Sequence, residues 1–204
     1  DIDAHHCDGV AVAFHGSKAV RMISVHEHRR WPFTGPLEDE AGGAAINIPV
    51  HKGFNDTEFD LILHEVILPA VSAFQPDAIY LQCGADAVTE DPLSRLALSN
   101  RCHVAAVQAL RDLSPRFIVS GGGGYNPWSV ARAWTCVWAE LAGYDVPDHL
   151  SRDISDILRA LEWSRKARPT EQMLTTLRDA ARPGPISQPV RNLVDVLRRR
   201  SAGV

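Results

Sequence analysis

Short apolar runs alternate with longer stretches of helical period along the first two-thirds of the chain. Val20-Arg-Met-Ile-Ser-Val25 is rich in β-branched residues and bounded by polar segments, which predicts a strand. Ala44-Ala-Ile-Asn-Ile48, Pro76-Asp-Ala-Ile-Tyr-Leu-Gln82 and Arg116-Phe-Ile-Val-Ser120 have the same character. From Thr57 to Phe74, the residues Phe59, Leu63, Val66 and Ile67 recur on one helical face, and Pro69 predicts a kink or a break. Ser99 to Leu113 reads as a second amphipathic helix capped by Ser99 or Asn100. A third starts at Asn126-Pro127, with Asn at the cap and Pro in the first turn, and stops at Gly143. Residues 31–43 contain Pro32, Gly35, Pro36, Gly42 and Gly43 and read as a long loop. Strands alternating with helices predict an α/β fold, a mostly parallel sheet with helices on both faces. Beyond residue 150 the pattern is helical only, near 151–164, 170–181 and 187–200, with Arg182-Pro-Gly-Pro185 between the last two. The division expected is residues 1–143 as part of one α/β domain and 144–204 as a helical extension packing on it.

Composition narrows the class. The chain has 204 residues, 45% hydrophobic and 23% charged, which is a globular and not a disordered balance. No apolar run approaches the roughly 20 residues that span a bilayer, and no basic-then-apolar leader is visible at the start. Residues 1–150 hold 10 basic and 19 acidic residues, whereas 151–204 hold 11 basic and 6 acidic. The arginines of that basic tail are interleaved with Leu, Ile and Val, as on the solvated face of amphipathic helices, so no nucleic-acid partner is expected. Cys7, Cys83, Cys102 and Cys136 form no C-x-x-C pair, which argues against a cysteine-ligated zinc site. Reduced, mostly buried thiols and a cytoplasmic location are expected.

The densest chemistry is at the start, Asp1-Ile-Asp-Ala-His-His-Cys-Asp8. If this is a strand, Asp1, Asp3 and His5 project to one side and Ile2 and Ala4 to the other. Two carboxylates and an imidazole together suit a divalent metal such as zinc, although a polar strand end at a surface has the same pattern. Leu81-Gln-Cys-Gly-Ala-Asp86 places a carboxylate in a glycine turn just after a strand, where open α/β sheets bind ligands. Ser120-Gly-Gly-Gly-Gly-Tyr125-Asn126 places four glycines between a strand and a helix. Such a loop either cradles a phosphate or presents the Tyr125 hydroxyl to a developing oxyanion. No G-K-[ST] or G-x-G-x-x-G spacing supports the phosphate reading.

Asp1-x-Asp3-x-His5-His6, Ser24-Val-His26, Gly84-Ala-Asp86 and Gly121-Gly-Gly-Gly-Tyr125-Asn126, in this order, resemble the C-terminal part of a histone deacetylase-type zinc amidohydrolase. The resemblance is nearest to the bacterial acetoin-utilization deacetylase branch and covers roughly residues 1–143. It implies the three-layer α/β fold shared by arginases and deacetylases. It implies Asp3, His5 and Asp86 as the ligands of one Zn2+ ion, and Tyr125 as the oxyanion-stabilising catalytic residue. Asp1 and Ser24 match positions that hold a structural potassium ion (K+), Asp1 also supporting the metal site, and Asp8 matches a carboxylate that orients a catalytic histidine. Trp31, Leu93, Gly123 and Gly124 fall where the family lines its acyl-lysine tunnel. The implied reaction is deacetylation of acetyl-lysine on a protein, or of an acetylated polyamine or other small acyl amide.

Cys7 stands where the family motif has glycine. The family's paired catalytic histidines precede the D-x-D-x-H motif and match nothing in this sequence. The expectation is that an upstream segment of the same domain supplies them and that residues 1–204 alone turn over little. Two other readings stand beside the deacetylase: a non-catalytic metal-binding or interaction remnant, and an arginase-like binuclear metallohydrolase. A membrane partner is not expected, and self-association is left open.

Overall fold

The computed structural model describes residues 1–202. Its strands are β1 (Met22–Glu27), β2 (Ala45–Val50), β3 (Ile79–Cys83) and β4 (Phe117–Gly121). Its α-helices are α1 (Asp8–Ala13), α2 (Asp56–Ile62), α3 (Leu68–Phe74), α4 (Arg101–Leu110), α5 (Pro127–Ala142), α6 (Arg152–Ala160), α7 (Glu171–Thr175) and α8 (Gln188–Ala202). β1 pairs with β2 and β3 with β4, both in parallel. Residues 1–4 join the two pairs. The Ile2 N–H donates to Gln82 O at 3.1 Å on one side; on the other, the Val25 and Glu27 N–H groups donate to Asp1 O and Ala4 O at 3.0 and 2.9 Å. The spatial order is therefore β2, β1, residues 1–4, β3, β4, with helices packed on it, as the alternating pattern predicts for an α/β fold.

Residues 1–5 are not the regular strand that their alternation suggests. The Asp1 carboxylate accepts the Asp3 N–H at 3.0 Å, and the Asp3 carboxylate accepts the His5 N–H at 2.8 Å. These local bonds compete with the ladder and bend the backbone. Ile2 and Ala4 nevertheless enter the core, at 5% and 0% exposure.

The predicted helix over 57–74 is α2 and α3 joined by a π-helical turn, Leu63–Ile67. Pro69 lies in the first turn of α3. A proline has no N–H and its ring crowds the carbonyl four residues back, and the widened turn just before it accommodates both without a break. α1 has no counterpart in the predicted elements. α4 is shorter than expected, and the Asn100 side chain does not cap it. Instead its amide donates to Leu177 O and accepts from the Asp179 N–H, at 2.7 and 3.0 Å.

The tail departs most from its predicted helices. α6 ends at Ala160, where the Leu158 carbonyl accepts the Trp128 indole N–H at 2.8 Å. α7 ends at Thr175 because the chain beyond it bonds to the body of the molecule. Thr176 O accepts from Arg132 Nε at 2.7 Å, and the Arg182 N–H donates to Asp56 Oδ2 at 2.7 Å. Val190, Leu193, Val194 and Leu197 of α8 join the same hydrophobic core as Ile48, Phe59, Leu63 and Val107. Among the described residues, all four cysteines are free, with Cys83, Cys102 and Cys136 buried. No helix among them is long and apolar enough to cross a membrane.

Candidate metal centre

Three loops at the carboxyl ends of the strands meet over the sheet. The bent segment after residue 2 brings Asp3 and His5, the turn after β3 brings Asp86, and the glycine run after β4 closes over both. One ligand atom each from Asp3, His5 and Asp86 lies within 4.8 Å of the others. His5 Nδ1 is 3.0 Å from Asp3 Oδ1 and 2.9 Å from Asp86 Oδ2. In tetrahedral zinc with N and O ligands at about 2.1 Å, neighbouring ligand atoms stand about 3.4 Å apart, so small adjustments suit the set to the ion.

Charge explains why this cluster wants a cation. Asp3 and Asp86 are 6% and 0% exposed. Burial and then the negative charge of Asp3 push Asp86 up to about 6, against the pull of His5. Burial pushes Asp3 upward too, but hydrogen bonds from His5, the Gln82 amide and the Gly123 N–H hold it well below the usual carboxylate range. His5, bonded to both carboxylates, is raised to about 10. Two carboxylates and one imidazole facing inward are a donor set for a divalent metal.

The surrounding backbone is built to these carboxylates. The Gly123 N–H donates to Asp3 Oδ2 at 2.7 Å, and the Ala4 N–H to Asp86 Oδ1 at 2.9 Å. A Cβ at Gly123 would fall 2.0 Å from Asp86 Oδ2, and one at Gly84 would fall 2.2 Å from Asp3 Oδ2. Gly123 is therefore required by close approach to carboxylates, whereas Gly121 and Gly122 lie against Trp134 and Gln82, and the Gly123 N–H is already bonded to Asp3, which argues against a phosphate cradle. Gly124, at φ +152°, packs against Val130.

Tyr125 follows directly on Gly123 and Gly124; it is 46% exposed, and its hydroxyl bonds no side chain among the described residues. Burial, followed by the charges of Asp86, Asp3 and Asp91, raises its pKa, so the phenol stays a proton donor. Trp31, after which the peptide bond to Pro32 is cis, sets its ring edge-on to His5 with centroids 6.1 Å apart. Leu93 is half-buried, its N–H held by Asp91 Oδ1 at 2.8 Å.

Three predicted residues sit apart from the cluster. Asp1 is not one of the converging groups, because its carboxylate turns back onto the Asp3 N–H; this corrects the alternation argument. Ser24 is buried on β1, its Oγ 3.0 Å from His26 Nδ1. The Asp8 carboxylate accepts the Gly9 N–H at the start of α1. His6 is directed away from the cluster, to Thr34 Oγ1 at 2.8 Å.

Several residues of the site escaped sequence reasoning. The Gln82 amide donates to Asp3 Oδ2 at 2.9 Å and accepts the Gly84 N–H at 2.7 Å. His103, fully buried in α4, meets Gly84 O through Nε2 at 2.8 Å. Asp91, 5% exposed, accepts the N–H of Tyr125 at 2.6 Å. Only Gln82 carried a signal, as a polar residue in a strand end that runs into the Gly84-Ala-Asp86 turn.

Comparison with known proteins gives the family. Residues 1–141 match the family model for a histone deacetylase domain. The chain is 35% identical over 155 residues to a probable histone deacetylase 1-B of Xenopus laevis, covering 74% of this chain and 32% of that protein. It is 34% identical over 155 residues to histone deacetylase 1 of Homo sapiens, with the same coverage. The crystal structure of an HDAC homolog from Aquifex aeolicus superposes with a TM-score of 0.88 at 36% identity, covering 97% of this chain and 56% of that one. The chain thus spans about a third of the length of these curated relatives. The superposition extends beyond residue 143 into the tail, and the α/β architecture is the three-layer fold of these enzymes. The chain belongs to the histone deacetylase family.

Proposed function

We propose that this protein is a metal-dependent deacetylase that hydrolyses an acetylated amine, with Asp3, His5 and Asp86 holding one zinc ion and Tyr125 stabilising the oxyanion. The observation that carries this reading is the convergence of two buried carboxylates and one imidazole within 4.8 Å, against the glycine loop that runs on into an exposed tyrosine. Held by Asp3, His5 and Asp86, a zinc ion would supply Lewis-acid chemistry, polarising an amide carbonyl and lowering the pKa of a water molecule. The Tyr125 phenol, kept protonated, donates to the developing oxyanion. The Trp31 ring and Leu93 line the approach for an extended acyl-amine chain, and Gly123 and Gly124 form a wall without side chains. Acetyl-lysine on a protein is the substrate class proposed, with acetylpolyamines and small acyl amides as the alternatives to be tested.

Asp1 supports the metal site through the Asp3 N–H, and a structural potassium ion is proposed at Asp1 and Ser24, in the seam where the Val25 N–H donates to Asp1 O. The Asp8 carboxylate is proposed to orient a catalytic histidine. The proton-transfer histidines implied by the resemblance belong to a segment outside residues 1–204. A groove of about 1170 Å³ lined by Ile2, Ile23, Leu63, Val71 and Leu81 is the surface on which we place that part of the domain. The proposed setting is the cytoplasm of a bacterial cell, in the acetoin-utilization branch.

The test is turnover of an acetyl-lysine peptide by the full-length protein. Deacetylation should vanish with a chelator, return with zinc, and fall about a hundredfold or more in Tyr125→Phe, by analogy with the loss of one oxyanion donor. Unchanged turnover in Tyr125→Phe would sink the mechanism. Metal binding without any turnover would favour the non-catalytic reading.

A further inference from the structure

The turn that carries Asp86 and the tyrosine loop come from different strands; the Ala85 N–H donates to Gly123 O at 2.6 Å between them, two residues short of Tyr125. The four glycines before Tyr125 give its backbone little stiffness of its own, and its hydroxyl bonds no side chain among the described residues. What places the phenol is therefore how the backbone of Tyr125 is held.

One buried carboxylate does this. Asp91 Oδ2 accepts the Tyr125 N–H at 2.6 Å while Asp91 Oδ1 accepts the Leu93 N–H at 2.8 Å. Both are charge-assisted bonds, about twice as strong as neutral ones. Asp91 is itself fixed to the metal-ligand turn. Its N–H donates to Val88 O at 3.0 Å, the Val88 N–H reaches Ala85 O, and Ser94 Oγ donates to Asp86 O at 2.5 Å. On the other side of Tyr125, the Asn126 amide donates to Glu90 O at 3.1 Å. A short rigid path thus runs from Asp86 through Asp91 to Tyr125.

We propose that Asp91 is a positioning residue that sets the distance between the Tyr125 hydroxyl and the metal bound by Asp86, and so couples the two groups that polarise the substrate carbonyl. This rests on the reading of Tyr125 above. Asp91 is proposed to act on kcat through Tyr125, while the second oxygen of the same carboxylate holds the Leu93 N–H on the substrate approach. Replacing it with Asn removes the charge and one acceptor, leaving one of the two N–H groups without its partner.

A double-mutant cycle in the full-length protein tests this, with zinc content and acetyl-lysine peptide turnover as readouts. Asp91→Asn should keep its zinc and lose about tenfold to a hundredfold in kcat, the scale expected for a misplacement of about 1 Å. In the Tyr125→Phe background the same substitution should change kcat by about twofold or less, because the group it positions is gone. Asp91→Glu, which keeps the charge but moves it by one methylene, should show the same dependence on background. An equal fold-loss in both backgrounds would overturn the proposal, as would loss of zinc from Asp91→Asn, which would put its role at Asp86. A Tyr125→Phe enzyme with unchanged kcat would overturn the reading of Tyr125 and this inference with it. Failure of the inference alone shows instead as an active-site tyrosine that matters and an Asp91 effect that ignores it.

Discussion

His26 is 2% exposed on β1, with its Nε2–H donated to Gly35 O at 2.8 Å and the His6 ring 4.9 Å away. Burial lowers its pKa to about 4, with the His6 ring adding to the effect and the Gly35 bond opposing it. The folded protein thus excludes a proton that the unfolded chain takes up below about 6.5. The stability this contributes is present above pH 6.5 and is lost as pH falls toward 4, on the order of 3 kcal/mol in all. Melting curves across that window should show the loss in the wild-type protein and a shallower fall in His26→Gln. An identical slope in the variant would assign the pH dependence to other groups. At this scale the cluster was legible, since Asp3, His5 and Asp86 are the residues that meet. The reason was only half right, because carboxylates at positions 1 and 3 bond the backbone ahead of them and bend the strand on which the alternation depended. Asp91 and His103 were not legible, because each matters through a backbone group on another loop, which neither periodicity nor local spacing encodes.

Among the elements, α5 was read well from its ends. Asn126 accepts the N–H of Trp128 and Ser129 at 3.1 and 3.3 Å, and Gly143 closes the helix at φ +71°. These are local signals, and a helix between them follows from capping alone. Asn126→Ala should cost about 1–2 kcal/mol in urea denaturation. A cost of a few tenths would mean that tertiary packing, not the cap, defines the start of α5. The tail helices were overdrawn because their apolar period continues where the backbone is pulled into other bonds. Thr176, Leu177 and Asp179 bind α4 and α5 through side chains more than seventy positions away in the case of Asn100. Sequence reasoning has no access to such partners.

For the whole molecule, the tail is part of the same body as the Asp3–His5–Asp86 cluster. Arg132, 1% exposed, pairs with Asp179 at 2.6 Å, and α8 completes the main core. Removing one partner of such a pair leaves an uncompensated buried charge, so Asp179→Ala should cost about 3–5 kcal/mol. A double replacement by apolar residues of similar volume should recover much of that loss in the same denaturation assay. A loss below 1 kcal/mol would show that solvent reaches Arg132. The architecture was legible from alternation and turn chemistry, whereas the joining of the two strand pairs by residues 1–4 was not, since it needs the backbone bonds on both sides.

The proposed function depends on one metal held by three side chains, and elemental analysis of the purified full-length protein tests that most directly. It predicts one zinc per chain in the wild-type protein, one zinc in Tyr125→Phe, and close to none in His5→Ala and Asp86→Ala. Two metals per chain would favour an arginase-like binuclear centre, and full zinc occupancy in Asp86→Ala would contradict the proposed site.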